Sequence, residues 1–145
     1  MSKKPVVDIR KEKKTGDLFL VHYAVHPVTK ASVGWGKHDQ FSESAFRVSG
    51  LAAVMKSLHE YSSRRNADEQ TSVFRLPDPK DQLRRAKNHL CLGVRLERPS
   101  ILILSPMRRE RGGYVGKMED EIALTLPCTP EQFYKQIESA FEECS

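Results

Sequence analysis

Five histidines, three cysteines and a knot of arginines beside paired glycines are the residues of this chain whose types could do chemistry. His22 and His26 stand four apart in an alternating apolar stretch, so on a strand they share a face. A strand rises about 3.3 Å per residue, which separates them too far for one zinc ion with bonds of about 2.0 Å. His89 and Cys91, two apart, also share a strand face, and a metal there needs further ligands from elsewhere. Cys128 follows a proline, as in zinc deaminases, but the second cysteine and the H-x-E element of that signature are missing. We therefore expect no metal and no cofactor, and read these histidines and cysteines as structural. The odd number and wide spacing of Cys91, Cys128 and Cys144 point to reduced, buried thiols.

The sequence contains no Walker A element, no G-x-G-x-x-G, no G-x-S-x-G and no H-E-x-x-H. Gly112, Gly113 and Gly116 resemble a phosphate cradle. Lys117 is followed, however, by Met118, Glu119, Asp120 and Glu121, which puts carboxylates where a phosphate-binding helix would begin. A turn between strands is expected there. Nuclease chemistry needs a base and an acid converging on one phosphate, and the five histidines permit such a constellation without pointing to one. The expectation is a protein that is not an enzyme.

Charge is more informative. The chain of 145 residues carries a formal net charge of +5. Residues 1 to 83 contribute +4, residues 84 to 117 contribute +7, and residues 118 to 145 contribute −6. Such a division offers one surface to anions and another to cations. Arg108, Arg109, Arg111, Tyr114 and Lys117 combine cationic forks, a flexible backbone and an aromatic ring, a set suited to single-stranded RNA. Glu119, Asp120, Glu121, Glu138 and Glu142 form the opposing acidic set, able to stand in for phosphates before a basic partner.

The elements that must position these residues follow from periodicity. Ile101 to Leu104 is a short β-branched run, and Ile122, Leu124 and Leu126 alternate with period two, so both read as strands. Thr129, Pro130 and Gln132 make a capping box with proline at the first helical position. Phe133, Ile137, Ala140, Phe141 and Cys144 then form a stripe at helical spacing. Leu51, Val54, Met55 and Leu58 predict a second helix, with Ser49 or Ser44 as N-cap and an end near Ser62. Asp17 to His26 reads as a central strand, and Ala31 to Trp35 as its hairpin partner. Gly34 and Gly36 weaken any longer strand, so a polar loop is expected to follow. Residues 1 to 16 are read as a basic arm, with residues 2 to 14 either frayed or a short edge strand, Ser63 to Lys80 as a surface loop, and Asp81 to Asn88 as a helical turn or two. His89 to Leu96 carries only a faint strand signal. The fold class is α/β of the α+β type: a single domain over residues 1 to 145, with a mostly antiparallel sheet flanked by at least two helices. No apolar run approaches the roughly 20 residues that span a bilayer. The N-terminus lacks a secretory stretch, so a cytosolic address is expected.

The succession "PSILILSP", "GGYVGK", "EDEIALTLP" and "TPEQFYKQIESAFEEC" resembles the C-terminal half of the immunity proteins of contact-dependent growth inhibition systems, the CdiI family. "LFLVHYAVHP" followed by "SGLAAVMKSLHEYSSR" is similar to their N-terminal half, a hairpin and a helix. The resemblance lies in element order and apolar pattern over residues 17 to 145, with no diagnostic motif. It implies a bacterial cytosolic protein that binds and neutralises the C-terminal toxin domain, often a nuclease, of a large secreted adhesin. It implies no catalytic residue and no cofactor. Inhibitors of basic nucleases are usually acidic, whereas this chain is net basic. Either the acidic set Glu119, Asp120, Glu121, Glu138 and Glu142 meets the toxin, or the toxin is acidic and the arginine-rich turn meets it. The alternative function is RNA binding through Arg108, Arg109, Arg111, Tyr114 and Lys117.

Overall fold

The apolar residues Val7 and Ile9, set two apart within a basic N-terminal segment, organise the centre of the molecule. A computed structural model describes residues 4–25, 32–61, 88–110, 113–116 and 118–144. In it Val6–Glu12 forms strand β1, hydrogen-bonded on both edges. Of the frayed arm and the short edge strand expected here, residues 6 to 12 form a strand, and a central rather than an edge one: Val7 and Ile9 are fully buried, and Asp8 at 7% exposure lies between them on the other face.

Among the described residues seven antiparallel strands make the sheet: β1, β2 (Leu18–Val25), β3 (Ser32–Phe41), β4 (His89–Arg98), β5 (Ile101–Glu110), β6 (Gly113–Gly116) and β7 (Ile122–Thr125). Their spatial order is β3-β2-β1-β4-β5-β6, with β7 also paired to β5. The expected β2–β3 hairpin is present, but β3 runs on to Phe41 where a polar loop was expected. Its register against β2 shifts between Val21 and Tyr23, so the glycine-flanked Trp35 region marks an irregularity in a strand rather than its end. β4 has neighbours on both edges, and β5 continues through Pro106 to Glu110.

Helix α1 (Glu43–Glu60) is capped by Ser42, whose side chain accepts from the Ala45 N–H. The cap expected at Ser44 or Ser49 therefore lies earlier, because Phe41 and Phe46 pack edge to face across the cap and set the chain's entry. Helix α2 (Pro130–Glu142) starts at the capping box read from the sequence: Thr129 Oγ1 accepts from the Gln132 N–H at 3.1 Å, and the Thr129 N–H donates to Gln132 Oε1 at 2.9 Å. Both helices cover one face of the sheet. Their buried residues Phe46, Val54, Leu58, Phe133, Ile137 and Phe141 share one core with Val7, Ile9, Leu20, Leu92, Leu102 and Leu104 of the strands. Ser63 to Lys80, residues 81 to 87 and His26 lie outside the described residues.

Candidate functional site

Burying one stripe of α2 exposes the opposite one. Phe133, Tyr134, Ile137, Ala140 and Phe141 face the core, so Glu131, Lys135, Glu138 and Glu142, spaced by four, three and four residues, align outward. All four are exposed. The helix that carries them is held at its start by the capping box and along its length by the core, which makes this a preformed, mostly acidic ridge. Tyr134 links the ridge to α1. Its hydroxyl donates to Glu43 Oε1 at 2.8 Å, and the Arg47 guanidinium stands 4.6 Å from its ring centroid. Burial first, then the Glu43 hydrogen bond, with a smaller contribution from the charge of Glu138, raises the Tyr134 pKa.

The rest of the acidic set lies ahead of α2, on other elements. Glu119 is exposed and Asp120 half-buried on a single 3-10 turn, Met118–Asp120, before β7. Glu121 continues the register of β7 onto the sheet face opposite the helices, where both its oxygens engage Arg95, at 3.0 and 3.4 Å. These hydrogen bonds hold its carboxyl below the usual range. Arg95 also donates from Nε to Glu97 at 2.7 Å, and Lys4 reaches the other Glu97 oxygen. Glu121 is thus committed to a network with Arg95 and Glu97 on the face away from the helices.

Of the arginine-rich set, Arg108 is exposed on β5 and pairs in register with Val115 of β6, itself 41% exposed. The backbones of Arg109 and Tyr114 pair directly, which makes the expected turn between strands a hairpin. Arg111 and Lys117 lie outside the described residues, as do the side chains of Arg109 and Tyr114.

Two clusters were not foreseen from the sequence. His22 is buried under α1 with Nδ1 at 2.7 Å from Ser57 Oγ and Nε2 at 2.9 Å from Asp39 Oδ2. The residue types are those of a hydrolytic triad, yet Ser57 is 1% exposed and cannot meet a substrate, so the array ties α1 to β2 and β3. On the opposite sheet face, Tyr23, Asp8, Arg10 and Cys91 come together from three neighbouring strands. Burial first, and the Asp8 charge second, pushes the Cys91 thiol well above its usual range, so it is not a thiolate nucleophile. Only the even spacing of Asp8 and Arg10 among buried valine and isoleucine hinted at this cluster.

No protein-family model and no curated protein matches the chain. Among solved structures it is similar to a protein of unknown function from Neisseria meningitidis, with a TM-score of 0.70 and 10% sequence identity over 100% of this chain and 98% of that one. At that identity the likeness establishes the shared fold.

Proposed function

We propose that this protein is an immunity protein, which binds and neutralises the C-terminal toxin domain of a contact-dependent growth inhibition adhesin. The observation that carries the reading is the ridge of Glu131, Glu138 and Glu142, three exposed carboxylates on a rigid helix. Fixed carboxylates steer a basic partner, bind it by charge-assisted hydrogen bonds, and compete with the phosphates that a nuclease site would hold. The chain thus meets its partner with the acidic ridge despite its net basic charge, and inhibition follows from covering the toxin.

The test is co-expression with the C-terminal domain encoded by the reading frame immediately upstream. A stable complex and survival of the producing cell are expected. Reversing Glu138 and Glu142 to lysine should weaken binding at least tenfold. Absence of both complex and protection overturns the reading. A second reading, RNA binding, draws on the exposed Arg108 and Val115 of the β5–β6 hairpin. It requires gel-shifted RNA that is released when Arg108, Arg109 and Arg111 are neutralised.

A further inference from the structure

We draw no further inference here: the strongest candidate, the open apolar groove of about 460 Å³ between α1 and the Leu126–Cys128 segment ahead of α2, is bordered by the exposed cations Lys56 and Arg98 as well as by Glu131, and nothing in the structure shows what covers it.

Discussion

The Tyr23 hydroxyl donates to Asp8 Oδ2 at 2.5 Å, joining side chains diagonal to each other on β2 and β1. Asp8 is 7% exposed, so the bond supplies a donor to an oxygen that water scarcely reaches. Tyr23→Phe keeps the ring and removes the donor, which should cost about 1–3 kcal/mol of unfolding free energy. Urea unfolding at pH 7 measures it, and an unchanged midpoint contradicts this role for Tyr23.

Asp8 also gives stability a definite pH slope. Burial raises its pKa, against smaller lowering effects from the Tyr23 hydrogen bond and Arg10. The folded chain then keeps this proton to higher pH than the unfolded chain, so Asp8's contribution declines as pH rises from about 4 through the folded value. Asp8→Asn carries no such proton. Its stability relative to wild type should therefore be higher at pH 7 than at pH 4, and an equal difference at both contradicts the assigned direction.

Gly50 in α1 sets helix propensity against packing. Alanine gains about 1 kcal/mol over glycine within a helix. A Cβ at this position, however, would stand 2.8 Å from Phe46 Cδ1 and Cε1. Phe46 is 1% exposed and flanked by the rings of Phe41, Phe133 and Tyr134, so it has nowhere to go. Overpacking costs roughly 1–3 kcal/mol. Gly50→Ala should thus lower the thermal midpoint, whereas a rise shows that the ring yields.

Glu121 serves the sheet rather than the acidic ridge. Glu121→Gln should leave affinity for the toxin domain within twofold of wild type, while the Glu138 and Glu142 reversals act strongly. Because Arg95 lowers the Glu121 pKa, the pair's contribution is present above the unfolded carboxylate value and is lost as pH falls through the folded one. Its size at this partly exposed site is below about 1 kcal/mol. The difference between Glu121→Gln and wild type should shrink as pH falls below the unfolded carboxylate value of about 4.3.

The legible parts of the fold were those with a short-range cause. Thr129 and Gln132 are three residues apart and cap each other, and Phe133, Ile137, Ala140 and Phe141 share a face through helical geometry alone. β1 was legible as at most an edge strand because Asp8 and Arg10 break the apolar pattern, and their enclosure depends on Tyr23 and Cys91 from two other strands. The start of α1 was misplaced because its cap is reinforced by the Phe41–Phe46 ring contact. In the candidate site, Glu138 and Glu142 share one surface, as the helical repeat dictates.

The sequence by itself determined the α+β class, the capped C-terminal helix and the acidic line along it, because each arises from residues within a few positions of one another. Tertiary structure alone decided that Glu121 would turn to Arg95 on the far face, and that His22 would lie between Ser57 and Asp39. Strand pairing brings residues distant in sequence to within hydrogen-bond reach. Which sheet face a charge adopts is set by register across the whole sheet, a quantity no local pattern contains.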